Sequence, residues 1–386
     1  MVVGALCVWA STTSPRTCST KIQHERNMMR MMCSTESDGE SEDSSLDMAL
    51  LRQRFMEVED TEAEHRLEAM VRAADNWKAG RCAQHTVIVL DDWVRRLRHA
   101  SNGRLLCGTY SGAAVLVDVE SGEELGRWPS GDDAEVTALD FDGHAWAAGD
   151  RRGAIRVRRA AGKWGCARHS GAVSGLCFHR ELLFSASIDK RITCWDLSQT
   201  LGSEHAPVEL PEVSSLITPS PSLCLSASEN YVAVGLACGD VLLCTLSPLR
   251  ILLRFTAADA AISAIHLVTK SQLVCGSADG RVHLWRLDES EESGRRHVTF
   301  DGHKAPVVSV CGDGGKIVSG SRDGTIRVND ISRGSLRFVL QGFTAYLGSV
   351  EISPTWLIAD GTNNAIVKLD FAALPEDDEA TVDGDD

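Results

Sequence analysis

The chain has 386 residues, of which 43% are hydrophobic, and a formal net charge of −15. No stretch reaches the ~20 consecutive apolar residues that a membrane-spanning helix needs, so we expect no membrane span. The acidic side chains are concentrated in residues 34–64, with eleven acids against two bases, and in residues 374–386, with seven acids and no base. The rest of the chain is nearly neutral, and its charge argues neither for nor against a nucleic-acid partner.

Residues 1–45 are predicted to be disordered. The stretch 34–45 is acidic and serine-rich and has almost no apolar side chains with which to bury a core. The first ten residues are apolar and are followed by serine, after Val8-Trp9-Ala10. This leaves a secretory or organelle targeting segment as an alternative for the start of the chain, although a basic region in front of the apolar residues is missing.

A helical arm is predicted over residues 46–81. The first helix covers 46–58, with apolar side chains on one stripe. The second begins at Thr61, and a glutamate three residues later completes the spacing of a capping box. Its apolar residues between Leu67 and Ala74 recur at the i, i+3, i+4, i+7 spacing that is typical of one helix face.

The remainder of the chain repeats. The stretch SGSRDGTIRVND, residues 319–330, has near-copies at 185–196 and 275–286. Each copy has a short apolar run, a tight polar turn and an alternating run, which is typical of two strands with a turn between them. The turn position recurs about every forty residues, and a period of that size indicates a repeat architecture. It is occupied by Ser111, Arg152, Asp189, Cys238, Asp279, Asp323 and Asn363.

Seven units with four short strands each predict an all-β fold, a seven-bladed β-propeller. In the last unit the acidic run LPEDDEATVDGDD follows soon after the third strand, Ala365 to Leu369, so the fourth strand is missing. We expect residues 85–90 to supply it, because a ring closed by its own N-terminal strand leaves no open sheet edge. The predicted propeller covers residues 82–371, and residues 372–386 form a predicted disordered tail.

The repeated stretches resemble WD repeats, and the resemblance covers roughly residues 84–371. It implies that the repeated polar side chains form a buried, hydrogen-bonded network in each well-preserved blade. Buried polar groups are tolerated when they are satisfied in this way. The matching residues are His169, Ser187, Asp189 and Trp195 in blade three, Ser277, Asp279 and Trp285 in blade five, and His303, Ser321 and Asp323 in blade six.

The segment directly before the predicted closing strand carries a second resemblance, to a junction between a helix and a propeller. Asn76-Trp77-Lys78-Ala79-Gly80 follows the helical arm directly, and this order is similar to the junction in F-box/WD-repeat proteins. Those proteins are substrate receptors of SCF-type ubiquitin ligases, so the resemblance implies SCF-type ligase subunits as partners. An F-box, with its Leu-Pro start, is not recognisable before Leu46, where the acidic stretch stands instead.

Enzyme motifs are missing from the sequence, and we expect neither catalysis nor a cofactor. It contains no H-E-x-x-H, G-x-S-x-G or phosphate-binding glycine loop. His169 and His303 are therefore interpreted as structural rather than as metal ligands or catalytic bases. The thirteen cysteines are odd in number and form no C-x-x-C pair, which favours reduced thiols and a cytoplasmic or nuclear location.

The remaining expectation is a partner-binding surface. In WD propellers, the residues beside the turn and at the start of each first strand surround the top of the central channel. Arginines there grip phosphorylated degrons in F-box/WD receptors, because the guanidinium fork matches a phosphate. The alternative interpretation is a set of solvated turn residues. The corresponding residues here are Trp93, Arg95, Tyr110, Arg151, Arg322 and Tyr346.

Three functions stay open at this stage. The first is a non-catalytic, substrate-receptor-like module for an acidic or phosphorylated peptide of a partner protein. The alternative is a general WD-repeat scaffold of a multiprotein complex without a ubiquitin role. The third, an RNA- or phosphoinositide-binding propeller, depends on a basic edge of blade two alone, and nucleic acid is not the expected partner. That edge consists of Arg151, Arg152, Arg156, Arg158, Arg159, Lys163 and Arg168.

Overall fold

The structure is a computed structural model. It describes residues 61–100, 102–129, 134–159, 163–198, 206–287, 295–345, 347–360 and 364–373. The chain divides into two units, 1–60 and 61–386, and every described residue belongs to the second. The predicted disordered start, the helix predicted at 46–58 and the tail from 374 lie outside the described residues.

The described part of the chain contains one helix and 29 strands. Helix α1 (Thr61–Ala79) begins at the predicted capping residue. No helix in this part is both long and apolar enough to cross a membrane. The strands follow in chain order as β1 (Ala83–Val89), β2 (Val94–His99), β3 (Arg104–Thr109), β4 (Ala114–Asp118), β5 (Glu124–Trp128), β6 (Val136–Phe141), β7 (Trp146–Asp150), β8 (Ala154–Arg159), β9 (Lys163–Arg168), β10 (Val173–His179), β11 (Leu182–Ser187), β12 (Arg191–Asp196), β13 (Val208–Glu209), β14 (Glu212–Ile217), β15 (Ser222–Ala227), β16 (Tyr231–Leu236), β17 (Asp240–Thr245), β18 (Ile251–Thr256), β19 (Ile262–Thr269), β20 (Gln272–Ser277), β21 (Val282–Arg286), β22 (Arg295–Phe300), β23 (Val307–Gly312), β24 (Lys316–Ser321), β25 (Ile326–Asp330), β26 (Ser335–Leu340), β27 (Val350–Ile352), β28 (Trp356–Asp360) and β29 (Ala365–Asp370).

The strands form seven sheets, and the predicted seven-bladed propeller is confirmed. Blades one, four, five and six are antiparallel meanders, with strand orders β2-β3-β4-β5, β15-β16-β17-β18, β19-β20-β21-β22 and β23-β24-β25-β26. The first strand of each blade is innermost. The second strands are the most deeply buried elements, and all six residues of β24 are buried, because each blade is packed between two others.

The N-terminal strand closes the ring, as predicted. Blade seven has the order β1-β29-β28-β27, and β1 pairs with β29 antiparallel from Ala83 opposite Asp370 to Val89 opposite Ala365. The strand begins two residues before the predicted start at His85. Blade one packs closely on it at Gly122 (φ +70°), where a Cβ atom would lie 2.2 Å from the carbonyl oxygen of Val87.

One irregularity was not predicted. After β12 the chain returns to blade two, where β13 pairs in parallel with β9 and makes a five-stranded sheet. The chain then re-enters blade three as its fourth strand, β14. Leu210 is buried in the core shared by the two blades, so the detour fills the space between them. Pro207 and Pro211 flank β13 and limit further pairing at its edge.

The inner strands are linked around the channel by side chains that donate to the carbonyl of the next inner strand. Thr137 Oγ1 donates to Val173 O at 2.6 Å, and Ser174 Oγ donates to Ser222 O at 2.6 Å. Satisfied bonds of this kind fix the channel wall, because each inner strand has another strand as its neighbour on only one side. The same role is played by Cys224 toward Ile262, Ser263 toward Val307 and Ser309 toward Val350.

Candidate protein-binding face of the propeller

The polar network of blade three joins a histidine, an aspartate, a serine and a tryptophan. The distance from His169 Nδ1 to Asp189 Oδ2 is 3.0 Å, and that from His169 Nε2 to Ser185 Oγ is 2.7 Å. Trp195 Nε1 donates to the same Ser185 hydroxyl at 2.8 Å. The serine that links His169 to Trp195 is therefore Ser185, which was not predicted. Ser187, the serine of the predicted network, accepts the N–H of Asp189 at 3.2 Å instead of contacting the two rings.

Ser187 makes hydrogen bonds to the backbone instead. Its hydroxyl lies 3.0 Å from Gly171 O and 2.9 Å from Ala172 O, the carbonyls of the loop before the inner strand. The two serines are two residues apart and face the same side of the sheet, and Ser185 lies one pleat deeper, within reach of both rings.

Blade six repeats the arrangement. His303 Nε2 lies 3.0 Å from Ser319 Oγ, whereas Ser321, the serine predicted for the network, donates to Ala305 O at 2.9 Å. His303 Nδ1 is 3.0 Å from Asp323 Oδ2.

Blade five retains only part of the network. Cys275 stands where Ser185 and Ser319 stand, and Asp279 accepts the backbone N–H of Arg281 at 3.0 Å instead of contacting a histidine. The hydroxyl of Ser277 accepts the N–H of Asp279 at 3.5 Å. Trp285 packs against Phe255, with ring centroids 4.6 Å apart. The tryptophan of this blade is therefore packed against an aromatic ring of blade four.

The electrostatics of these networks are those of fixed structural groups. Burial lowers the pKa of His169 and of His303, although each faces a carboxylate. For Asp323, burial opposes ionisation, but hydrogen bonds from Thr325, the Lys304 N–H and His303 lower the pKa to about 2. The carboxylate is thus a charged acceptor for its neighbours. Among the described residues there is no cluster of three potential metal ligands.

The turns between second and third strands lie at one end of the propeller, which we call the top face. In six blades the residue before the turn position donates its N–H to a carbonyl at the start of the inner strand; in blade one, Tyr110 N lies 2.9 Å from Trp93 O. Equivalent bonds are made by Arg151, Ile188, Ala237, Ala278 and Arg322.

Blade one presents an exposed aromatic pair on this face. Trp93 and Tyr110 are 52% and 50% exposed, and their rings meet edge to face with centroids 5.9 Å apart. Asp92 fixes the loop beneath them, since its two carboxylate oxygens accept the N–H groups of Trp93 and Ser111, each at 2.7 Å. Two large rings are therefore held in place at the surface.

Two of the three predicted arginines share one carboxylate. Arg95 Nε lies 2.6 Å from Glu135 Oε1, and Arg151 Nη1 lies 3.3 Å from Glu135 Oε2. Arg151 remains 71% exposed, whereas Glu135 is only 11% exposed. Glu135 therefore neutralises part of the charge that the sequence assigned to this face.

The third arginine is different. Arg322 is exposed, and its guanidinium makes no hydrogen bond or ion pair with the part of the chain that the structure describes. Burial, together with the positive charges of Arg95 and Arg322, lowers the pKa of Arg96. Ring closure thus places arginines of blades six and one within electrostatic range of each other. Tyr346 lies outside the described residues.

Arg96 was not singled out in the sequence. Its Nε donates to Thr137 O at 2.9 Å, and its Nη1 donates to Arg95 O at 2.9 Å and to Gly348 O at 3.3 Å. It therefore joins blades one, two and seven while lining a channel cavity of about 100 Å³. The sequence feature that could have pointed to Arg96 is the occurrence of three arginines in one six-residue strand, Val94–His99.

Deeper in the channel, a single arginine bridges two acids. Arg98 lies 3.2 Å from Asp140 and 2.9 Å from Glu351, so it ties blade one to blades two and seven. Burial raises the pKa of both Asp140 and Glu351, while the Arg98 charge opposes that rise. The positive charge of Arg98 is therefore compensated by two carboxyl groups at this depth of the channel.

The basic edge of blade two is largely occupied. Arg156 donates to Pro129 O at 2.9 Å and to Gly112 O at 2.8 Å. Arg158 lies over the Trp128 ring at 4.5 Å, and Arg159 pairs with Glu181 at 2.8 Å. These three arginines hold neighbouring segments together, and Arg152, Lys163 and Arg168 are the exposed ones that remain besides Arg151.

The junction motif joins α1 to the last blade. Asn76 Nδ2 donates to Phe371 O at 2.8 Å, and Trp77 Nε1 donates to Pro354 O at 2.9 Å. Lys316 Nζ lies 4.3 Å from the Trp77 ring centre. The motif therefore acts as a structural anchor in this chain.

Comparison with known proteins agrees with this fold. Residues 165–196 and 294–330 match the family described as WD domain, G-beta repeat. The first segment contains the first three strands of blade three, and the second contains the last strand of blade five and the first three strands of blade six. The fold is thus a seven-bladed β-propeller, and two of its segments match WD repeats.

Several curated proteins are similar over part of their length. Telomerase protein component 1 of Mus musculus is 33% identical over 43% of this chain and 6% of its own length. Ribosome biogenesis protein YTM1 of Kluyveromyces lactis is 31% identical over 26% of this chain and 25% of that protein. Pre-rRNA-processing protein crb3/ipi3 of Schizosaccharomyces pombe is 28% identical over 38% of this chain and 39% of that protein. The chain thus spans well under two thirds of each.

Among solved structures, the computationally designed Ika8 protein is similar with a TM-score of 0.56 and 20% sequence identity. The superposition covers 74% of this chain and 99% of the designed protein. At this identity the likeness concerns the fold alone.

Proposed function

We propose that the chain is a non-catalytic scaffold of a multiprotein complex and that its top face binds an acidic or phosphorylated segment of a partner protein. The observation that carries the proposal is the exposed Trp93–Tyr110 pair beside the arginines at the channel mouth. Tryptophan, tyrosine and arginine are the residues that most often dominate binding energy at interfaces. Because Asp92 fixes the backbone of the loop beneath the rings, ordering this loop on binding costs little entropy.

The names of two relatives support an assembly of a particular kind. YTM1 is named for ribosome biogenesis and crb3/ipi3 for pre-rRNA processing. We therefore propose that the chain belongs to a complex of the ribosome-biogenesis type. Of the two locations predicted from the sequence, cytoplasm and nucleus, this proposal favours the nucleus.

The ubiquitin-ligase role has less support. The receptor-like reading depends on the helix and the Asn76–Gly80 junction, and both have a structural task in anchoring α1 to blade seven. A general scaffold is accordingly favoured over an SCF-type receptor. The RNA- or phosphoinositide-binding alternative is not favoured, because Arg156, Arg158 and Arg159 make contacts within the fold.

Affinity capture with quantitative mass spectrometry tests the proposal. The baits are the wild-type chain, a Trp93→Ala/Tyr110→Ala variant and a matched control, Ile217→Ala/Leu252→Ala, which removes exposed apolar side chains from outer strands. We expect the top-face variant to lose stable partners that the control retains, with equal melting temperatures for all three. Identical partners for all three baits would contradict a top-face site. Cullin and adaptor subunits among the lost partners would favour the receptor reading over the scaffold.

A further inference from the structure

The ring closes at a joint that the chain itself does not tie. Blade seven takes its outer strand β1 from the other end of the chain, and β1 is held to β29 by noncovalent contacts alone. Separation of β1 from β29 would therefore open the ring between blades seven and one, a boundary that we call the seam. We infer that Arg96 and Arg98 form an inner clasp that holds the seam shut from the channel side.

The inner strands of the other blades are linked by small side chains. From blade two to blade seven, a serine, threonine or cysteine donates to a backbone carbonyl of the next blade, as Ser174 does to Ser222 O at 2.6 Å. Blade one carries an arginine instead. Arg96 Nη1 donates to Gly348 O of blade seven at 3.3 Å, and its Nε donates to Thr137 O of blade two at 2.9 Å. A single side chain thus supplies links on both sides of blade one.

A second layer of the clasp lies deeper in the channel. Arg98 Nη1 is 2.9 Å from Glu351 Oε1 of blade seven, and its Nε is 3.2 Å from Asp140 Oδ1 of blade two. Hydrogen bonds between ionised partners are about twice as strong as those between neutral groups. The contact of this layer across the seam is therefore the Arg98–Glu351 ion pair, and Asp140 is its counterpart on the other side of blade one.

The backbone at the seam is shaped for these contacts. A Cβ atom at Gly348 would lie 2.3 Å from Arg95 O, so the absence of a side chain there lets the two chain segments approach this closely. Arg96 Nη1 donates to Arg95 O as well, at 2.9 Å, and thereby bridges the carbonyls of Arg95 and Gly348. The clasp thus lies where blades one and seven are in direct backbone contact.

The chain contains thiols that report on opening of the seam. Cys107 is fully buried in the core shared by blades seven and one, together with Leu97 and Ile358. Cys194 is buried in the core shared by blades three and four. Burial raises the pKa of both thiols. Because the thiolate is the reactive form, each thiol is alkylated when its own core opens to solvent.

Alkylation of the full, folded chain with iodoacetamide tests the clasp, with peptide mass spectrometry to follow each cysteine over time. The test variant is Glu351→Gln, which keeps the size of the side chain and removes the charge that pairs with Arg98 across the seam. Asp140→Asn is the matched control, because it removes a carboxylate from the same arginine on the side away from the seam. Both variants leave Arg98 with one carboxylate partner.

We expect Glu351→Gln to speed the alkylation of Cys107 roughly tenfold, the effect of weakening one charge-assisted contact, and to leave the rate at Cys194 unchanged. Asp140→Asn should affect Cys107 less than Glu351→Gln does, since the contact across the seam is retained. An unchanged Cys107 rate in Glu351→Gln, or equal acceleration of Cys107 in both variants, would overturn the inference. So would equal acceleration of Cys107 and Cys194 in Glu351→Gln, which would indicate a loss of global stability.

Arg96→Lys tests the other layer and takes the place of Glu351→Gln if that variant does not fold. Lysine keeps the positive charge, but its single nitrogen cannot reproduce the Nε and Nη1 bonds to opposite sides of blade one. We expect faster alkylation of Cys107 and an unchanged rate at Cys194. Equal Cys107 rates in Arg96→Lys and in the wild type would overturn the inference for Arg96. Since alkylation is measured on the chain alone, the outcome does not depend on the proposed function.

Discussion

Trp77 stacks on Phe371 with ring centroids 3.6 Å apart and 12° between the ring planes. The contact joins the helix in front of the first blade to the end of the last blade. Trp77 is 1% exposed and belongs to the hydrophobic core of blades six and seven. The helix α1 is therefore part of the propeller's stability and not a separate arm.

Replacing Trp77 with alanine should destabilise the whole domain. The change removes a buried ring and its hydrogen bond to Pro354 O, and Trp→Ala changes in cores cost about 3–5 kcal/mol. Urea unfolding followed by tryptophan fluorescence measures the loss. Trp93→Ala is the matched control, because Trp93 is 52% exposed, and it should change the unfolding free energy by less than about 0.5 kcal/mol. Equal effects of the two changes would contradict the docked position of the helix.

The blade-three network gives a second matched pair. Asp189→Ala removes the acceptor for His169 and for the N–H groups of Ser170 and Arg191, and unsatisfied buried groups cost about 1–3 kcal/mol. Asp279→Ala, at the same position of blade five, should cost less because no histidine depends on it. The unfolding free energies of both variants test this order. A larger loss for Asp279→Ala would mean that the histidine adds nothing to the network.

The half-buried His266 should make stability depend on pH. Burial lowers its pKa to about 4, against 6.5 for the unfolded chain. The folded state therefore keeps His266 neutral, and its stability falls as the pH drops below 6.5, because the unfolded state then binds the proton more readily. Between pH 7 and pH 5 the loss should reach about 2 kcal/mol.

His266→Gln isolates this effect from other titrating groups. Burial raises the pKa of Asp360 to about 6, and such a shift makes the folded state more stable as the pH falls. Since Asp360 is present in both proteins, the difference between the wild-type and variant unfolding free energies reports on His266 alone. A difference that stays constant from pH 7 to pH 5 would show that His266 does not titrate as described.

Glycines of the same conformation test the seam between blade seven and blade one. Gly122 and Gly103 both have a positive φ, +70° and +78°, so alanine is strained at either position. Only at Gly122 would the Cβ meet a neighbour, Val87 O at 2.2 Å, and at Gly103 nothing lies within 4 Å. Gly122→Ala should therefore lower the melting temperature more than Gly103→Ala does. The same shift for both would mean that β1 does not pack on blade one in this way.

The fold was largely accessible from the sequence because its signals are periodic. The turn position recurs about every forty residues, and Gly280 and Gly324 mark two of the turns with positive φ. The acidic run after Leu369 indicated the missing strand, and β1 fills it. The sequence could not show which serine bonds to His169 and Trp195. Ser185 and Ser187 share one face of β11, and only the depth at which the two rings lie distinguishes them.

The charge pattern of the top face could not be predicted for a different reason. Glu135 stands at the start of one inner strand and Arg96 within another, but their effects depend on distances between separate blades. Glu135 reaches two arginines that are sixteen and forty residues away. Arg96 contacts Gly348 across the closed ring. The detour through β13 likewise depends on space between two blades, which no local pattern encodes.

A deletion series tests most directly whether the N-terminal strand completes the ring that carries the top face. Three truncated chains are compared by calorimetry: one without residues 1–60, one without 1–82, which loses α1 but keeps β1, and one without 1–92, which loses both. We expect cooperative melting for the first and cooperative melting at a lower temperature for the second. The third should be aggregated or melt non-cooperatively, because its blade seven has an open edge. Cooperative melting of the 1–92 deletion at the same temperature as the 1–82 deletion would contradict closure by β1.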